Sequence, residues 1–196
     1  NDVQAMKRKY AEIEQDDLRQ RLVAMANVHT AERFDLDIPA GAYERMATAL
    51  EDDEEWAAVA ETDWFKAAQT LAGEQDFFHW KLAFPETFYQ ENGEVRDDAG
   101  FDAVIGNPPY VSNWKLTEID EDLPENLENL YPDVAVGHWD LFVPFCSRGV
   151  SLTNSSGYQS FITPTSLATE KYARELRDFF IKDCQLRSLV NFGLRR

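Results

Sequence analysis

The sequence predicts an α/β protein, a parallel sheet preceded by an all-helical extension. Three observations predict it. From residue 101 onward, short apolar runs alternate with amphipathic stretches in the order strand, helix, strand, helix, strand, an order that requires parallel strands joined by right-handed crossovers. The first 75 residues contain no such runs, only helical spacing on heavily charged segments. Finally, 44% apolar residues, with five Trp and thirteen Phe among 196, supply a core large enough to exclude intrinsic disorder despite a net charge of −17.

Taken in order, residues 3–33 read as one long helix. Val3, Met6, Tyr10 and Ile13 form one stripe, and after a slip Leu18, Leu22 and Met25 resume it. Residues 37–41, containing Pro39 and Gly41, break the chain, and residues 42–50 and 54–71 are predicted as two further helices. The acidic run at residues 51–55 is read as a solvated turn entering a helix N-terminus rather than as a cation site. Residues 77–84 are aromatic and strand-like, ended by Pro85. Asn92-Gly93 signals a turn. Residues 101–105 form a short apolar run suited to a buried parallel strand, closed by Gly106-Asn107-Pro108-Pro109-Tyr110. Residues 115–137 are polar and broken by proline, so a loop with short helical turns is expected. A helix follows over 139–152 with Leu141, Phe142 and Phe145 inward, then a strand over 157–163. Pro164 fits the first turn of a helix running to about residue 182, with Leu167, Tyr172, Leu176, Phe179 and Phe180 inward. Residues 186–192 are predicted as the last strand. The organisation is therefore a helical segment over 1–75 and a sheet-bearing segment over 76–196.

Charge narrows the function. Residues 1–140 carry 32 acids against 11 bases, whereas residues 141–196 carry 4 acids against 8 bases. So negative a surface repels phosphate, which argues against a free-standing nucleic-acid binder in the first 140 residues. Arg148, Lys171, Arg174, Arg177, Lys182, Arg187, Arg195 and Arg196 make up the one stretch able to face a polyanion, although Arg174 and Arg177 read first as a solvated helix face. No apolar run reaches the roughly 18 residues of a membrane span, and no signal peptide opens the sequence, so a cytoplasmic protein is expected. An N-terminal Asn in place of Met is what an internal piece or a processed product would show. Cys146 and Cys184 stand alone, which supports neither a disulfide framework nor a cysteine zinc site. His29, His79 and His138 lack ligand spacing, and His79 reads as a packed residue. Asp140, at a helix start, reads as a cap or dipole partner rather than a catalyst. No acidic-x-Lys pair of a magnesium nuclease occurs anywhere, so Pro132-Asp133 is read as a turn.

The segment richest in chemistry is Asn107-Pro108-Pro109-Tyr110. In open α/β sheets ligands bind beyond the carboxyl ends of the strands, where this loop is expected. Two prolines fix φ and remove two N–H donors, leaving rigid carbonyls. An exocyclic amine is a poor nucleophile because its lone pair is delocalised into the attached ring. Acceptors on both of its N–H groups, the Asn107 side-chain oxygen and the Pro108 carbonyl, draw the nitrogen toward tetrahedral geometry and spread the growing positive charge. Tyr110 supplies a ring on which a planar substrate can stack. Asn-Pro and Pro-Pro are also ordinary turn dipeptides. Their place directly after a predicted strand favours the chemical reading.

Residues 101–111, Phe-Asp-Ala-Val-Ile-Gly-Asn-Pro-Pro-Tyr-Val, closely resemble motif IV of amino-group methyltransferases that use S-adenosyl-L-methionine. Residues 78–88, 140–145 and 157–166 resemble the flanks of that motif in adenine-specific DNA methyltransferases of the Eco57I-like, type IIG restriction-modification family. The resemblance covers residues 77–193, and residues 1–75 resemble the end of an insertion before motif IV. It implies a partial Rossmann-like class I methyltransferase sheet. It further implies that Asn107 and Pro108 bind the adenine N6 amino group, that Tyr110 stacks on the base, and that Pro108 and Pro109 line the substrate site. The partner implied is double-stranded DNA with a flipped adenine. That family binds its cofactor through a glycine-rich loop. The nine glycines here make no Gly-x-Gly, so flanking domains or a partner chain would supply the cradle and this stretch alone is not expected to catalyse.

Two other readings stay open. Release-factor glutamine methyltransferases and some ribosomal RNA methyltransferases use a similar loop, with the glycine-rich turn close upstream; here more than 100 residues precede Asn107 without one. A non-catalytic acidic helical module or remnant is the other. Lys is scarce, at seven against twelve Arg, and a dense carboxylate surface with few lysines fits a salt-rich cytoplasm, where charges are screened within about 3 Å at 1 M. Raising KCl from about 0.1 M to about 2 M should therefore raise the melting temperature followed by circular dichroism; a flat or falling response would mark an ordinary acidic protein.

Overall fold

In the computed structural model, which describes residues 16–193, the chain divides into two units, one through Glu86 and one from Thr87. The first is helical. Asp16 caps helix α1 (Asp17–Glu32) by accepting from the Arg19 N–H at 2.9 Å, which satisfies one of the donors that a helix start leaves open. The first predicted stripe, Val3 to Ile13, lies outside the described residues. In α1 the inward residues are Ala24, Met25, Val28 and Ala31, so Leu18 is turned outward. Gly41 (φ 82°) takes the left-handed conformation that starts α2 (Ala42–Ala49). The acidic run behaves as a helix entry: Asp52 caps α3 (Asp53–Ala60) by accepting from the Glu54 and Glu55 N–H groups, and Arg21 pairs with Asp53.

One predicted helix becomes two. The 54–71 stretch breaks at Glu61-Thr62, where the Thr62 hydroxyl donates to the Val59 carbonyl at 2.7 Å, and α4 (Asp63–Glu74) starts afresh. A short β-branched hydroxyl that bonds its own backbone competes with the helix ladder. Val28, Met46, Ala49, Val59, Phe65 and Ala68 form the core of this unit.

The predicted aromatic strand at 77–84 is overturned. Residues Trp80–Ala83 form helix α5, with the Leu82 and Ala83 N–H groups donating to the His79 carbonyl. Pro85 opens α6 (Pro85–Phe88) instead of merely ending an element. Aromatic residues favour strands only where a pleated neighbour exists to pack against; here Trp80 and Phe84, four apart, stack on each other. His79 is half-buried. Its Nε2 donates to Asn27 Oδ1 at 2.7 Å, Asn27 Nδ2 to Gln69 Oε1 at 2.8 Å, and Gln69 Nε2 to the Ala24 carbonyl at 3.0 Å.

The second unit begins with the Asn92-Gly93 turn, which the Gln90 N–H closes by donating to the Glu94 carbonyl at 2.8 Å beside the Tyr89–Val95 bridge. Strand β1 (Phe101–Gly106) follows, then α7 (Asn113–Leu116) and α8 (Leu123–Leu130), helical turns in the stretch expected to be a loop with such turns. Helix α9 (Phe142–Leu152) leads into β2 (Thr153–Phe161). The helix predicted after β2 is split into α10 (Ser166–Thr169), a 3₁₀ turn (Lys171–Ala173) and α11 (Arg174–Asp183). β1 and β2 are parallel, as predicted, with Val104 opposite Gln159 and Gly106 opposite Phe161.

The sheet is smaller and barer than expected. Among the described residues it has two strands; residues 186–192 pair with nothing and are exposed. One face, carrying Val104, Gln159 and Phe161, lies against α9. The other carries Ile105 and Tyr158 at 81% and 61% exposure, so β1 is not the buried strand that its composition implied. A strand over 186–192 needs a neighbour to accept its hydrogen bonds, and none stands beside it. Gly149 allows α9 to lie close on β2, since a Cβ there would sit 2.6 Å from Gln159 Nε2. The core of this unit gathers Leu116, Val134, Trp139, Phe142, Val143 and Leu176. Leu167, Tyr172, Phe179 and Phe180 pack against it as predicted, whereas Phe145 faces outward. No helix among the described residues is long and apolar enough to cross a membrane.

Burial, with His29 nearby, lowers the His79 imidazole from its ordinary 6.5. The unfolded chain then binds a proton at a pH where the folded unit does not, so stability falls as pH drops below 6.5. His79→Gln should flatten the dependence of the denaturation midpoint on pH between about 5.5 and 7; an unchanged slope would show that the histidine is not the group responsible.

Candidate functional site

The loop after β1 is shaped by what its residues lack. The last rung of the parallel ladder is the Ile162 N–H donating to the Gly106 carbonyl at 3.0 Å. Pro108 and Pro109 have no N–H, so the ladder cannot continue, and the chain leaves the sheet at Asn107. Asn107, Pro109 and Tyr110 are exposed, whereas Pro108 is buried. Among the described residues nothing donates to the Pro108 carbonyl. The structure thus brings the predicted site residues together at the carboxyl end of β1. Tyr110, half exposed, places its hydroxyl 2.8 Å from Asn107 Oδ1 and 2.9 Å from the Ile162 carbonyl.

Beyond the loop the chain is clamped to the segment before α9. The Leu141 N–H donates to the Val111 carbonyl at 2.6 Å, Ser112 bridges Asp140, and the Asn113 N–H donates to the Trp139 carbonyl at 2.8 Å. Asp140 is therefore no helix cap. It lies outside α9, and its Oδ2 accepts from the Tyr172 hydroxyl at 2.5 Å. Burial and then the Asp140 bond push the Tyr172 phenol up, keeping it a donor. His138 sets its ring edge-on to Tyr172 and its Nδ1 3.2 Å from Asn113 Oδ1, while Asn113 Nδ2 donates to the Gly137 carbonyl. Spacing turned Tyr172 inward but offered no sign of its bond to Asp140 or of the Ile162 carbonyl, because these act across 32 and 52 residues of sequence. The signal is tertiary.

The basic tail contributes less than its composition implied. Arg177 donates to the Leu167 and Glu170 carbonyls at 2.9 and 2.8 Å, closing α10, so it is not the solvated charge that helix spacing predicted. Arg174 stays exposed on that face and pairs with Asp178. Pro132-Asp133 is a turn, as expected. Among the described residues no His, Cys, Asp and Glu group fits a metal ion. Both cysteines are free, and burial pushes the Cys146 thiol up to about 12, which leaves it without nucleophilic character.

Comparison with known proteins decides the family. The profile of the Eco57I restriction-modification methylases matches residues 14–196. This chain belongs to that family. Of its curated relatives, a type II restriction enzyme and methyltransferase of Methanocaldococcus jannaschii is 32% identical over 118 residues, 58% of this chain and 8% of that protein. The Eco57I restriction enzyme and methyltransferase of Escherichia coli is 25% identical over 93 residues, 47% of this chain and 9% of that protein. The BstVI methyltransferase of Geobacillus stearothermophilus is 29% identical over 112 residues, 57% of this chain and 19% of that protein. The chain thus spans less than a fifth of the length of these relatives. No solved structure matches it. The segment that clamps the loop exit is in turn tied to the 3₁₀ turn before α11 by the Tyr172–Asp140 bond. Tyr172→Phe should lower the stability of the second unit by about 1–2 kcal/mol in urea denaturation; a loss within error would show that the tie contributes nothing net.

Proposed function

We propose that this chain is the amine-binding part of an S-adenosyl-L-methionine-dependent adenine-N6 DNA methyltransferase of a restriction-modification system, acting in the cytoplasm. The observation that carries the reading is the Asn107–Tyr110 loop: an exposed Asn107 beside a buried Pro108 whose carbonyl receives no donor among the described residues, at the carboxyl end of a parallel strand, in a chain of a restriction-modification methylase family.

The Asn107 side-chain oxygen and the Pro108 carbonyl accept the two N6 hydrogens of adenine. Both interactions strengthen as the nitrogen becomes tetrahedral and positive, so they favour the transition state over the ground state. The two prolines hold those acceptors without any donor of their own to compete. Tyr110 stacks on the base, which must leave the duplex because its amino group is otherwise paired and stacked. The described residues build no glycine-rich cradle for the cofactor: Gly41 and Gly93 serve a helix entry and a turn, and Gly149 packs inside a helix. The residues of this chain therefore act on the amine, and the cradle is assigned to flanking sequence or to a partner chain.

In the intact enzyme, Asn107→Ala should cost about 3–4 kcal/mol of transition-state stabilisation, two to three orders of magnitude in the rate of N6-methyladenine formation, with cofactor affinity nearly unchanged. Mass spectrometry of nucleosides from treated adenine-methylation-free DNA reads it. Near-normal N6-methyladenine, or product confined to cytosine, would reject the assignment.

A further inference from the structure

Tyr110 has a use beyond its ring. A phenol has one proton, yet here it faces two acceptors at nearly equal distance, Asn107 Oδ1 at 2.8 Å and the Ile162 carbonyl at 2.9 Å. The second acceptor does not drift, because the Ile162 N–H is bonded to the Gly106 carbonyl at 3.0 Å as the last rung of the sheet. Asn107, by contrast, is exposed, and Tyr110 is the partner of its carboxamide among the described residues. A carboxamide without an orienting partner can turn by half a revolution and exchange its oxygen for its NH₂, which would present donors to a substrate that itself only donates.

We propose that the Tyr110 hydroxyl is a movable donor that sets the Asn107 carboxamide oxygen-first and then hands that oxygen to the substrate amine. This rests on the reading that Asn107 accepts an N6 hydrogen. While the hydroxyl donates to Asn107 Oδ1 it fixes which end of the carboxamide faces the amine. When a substrate N–H reaches that oxygen, the phenol proton rotates about its C–O bond to the Ile162 carbonyl. No hydrogen bond is lost in the exchange, and the acceptor strength that the hydroxyl had been drawing from Oδ1 becomes available to the amine. Tyr110 is in this respect a positioning residue acting through Asn107, and the main chain of Ile162 is the resting place that makes release inexpensive.

Tyr110→Phe in the intact enzyme keeps the ring and removes the hydroxyl. Two readings separate positioning from stacking: the single-turnover rate of methyl transfer, and the fluorescence of 2-aminopurine placed at the mapped methylation site, which reports extrusion of the base. The expected result is a single-turnover rate lowered about tenfold, with the fluorescence, the DNA affinity and the melting temperature unchanged. The double variant Asn107→Ala, Tyr110→Phe should then be no slower than Asn107→Ala alone. An unchanged rate in Tyr110→Phe would overturn the proposal, as would a loss of rate matched by loss of the fluorescence or of thermal stability. If Asn107→Ala itself retains its rate, the amine-binding reading fails, a result distinct from a failure of the hydroxyl exchange alone.

Discussion

The second unit depends on where hydrogen bonding along β1 is forced to stop. Parallel strands propagate for as long as each residue offers an N–H and a C=O. At Pro108 and Pro109 that supply ends on the donor side, so the ladder closes with the Ile162 N–H on the Gly106 carbonyl. The chain must leave the sheet there, carrying two carbonyls with no donor in their own segment. At this sheet end Pro108 is buried and its neighbours Asn107 and Pro109 are exposed, so the acceptor surface lies around a packed proline. The Asn107 carboxamide and the Tyr110 phenol extend that surface from either side of the prolines.

Rigidity comes from the two ends of the loop. Upstream it is fixed by the sheet. Downstream residues 111–113 run antiparallel to 139–141 through short main-chain bonds, and Tyr172 ties that second segment to the turn before α11 through Asp140. A site meant to favour a transition state gains from acceptors that need no rearrangement when charge develops. A loop held at both margins and stiffened by two prolines in its middle meets that need better than a free turn of the same composition.

How much of this was legible in the sequence follows from the range of the forces involved. The position of the candidate site was: Asn107 to Tyr110 lies at the end of β1 because proline chemistry is local. The parallel pairing of β1 and β2 and the inward faces of α9 and α11 were largely legible too, since apolar spacing records burial. Residues 77–84 misled because Phe and Trp favour strands only beside a neighbour, and here their rings pack along a helix. Residues 186–192 misled for the complementary reason: a short apolar-rich segment becomes a strand only when an edge accepts it. Phe145 turned outward because Phe142, Val143 and Cys146 define the buried side of α9. The bond between Asp140 and Tyr172 stayed silent because an interaction across 32 residues leaves no periodic trace.

The parallel pairing has a kinetic corollary. The helical unit closes its first helix on its fourth, with Asn27 bonded to Gln69 and to His79 across 42 and 52 residues. Joining β1 to β2 likewise pairs Phe101 with Thr153 and Gly106 with Phe161, so a long stretch must be drawn together before the first rung rewards it. Structures built on such distant pairings form slowly. The acceptor loop, whose final tether is the Ile162 main chain, takes its shape only after that late event. An early chain thus lacks this sheet end, and the loop from Asn107 to Tyr110 reaches its final form only once the two strands have met.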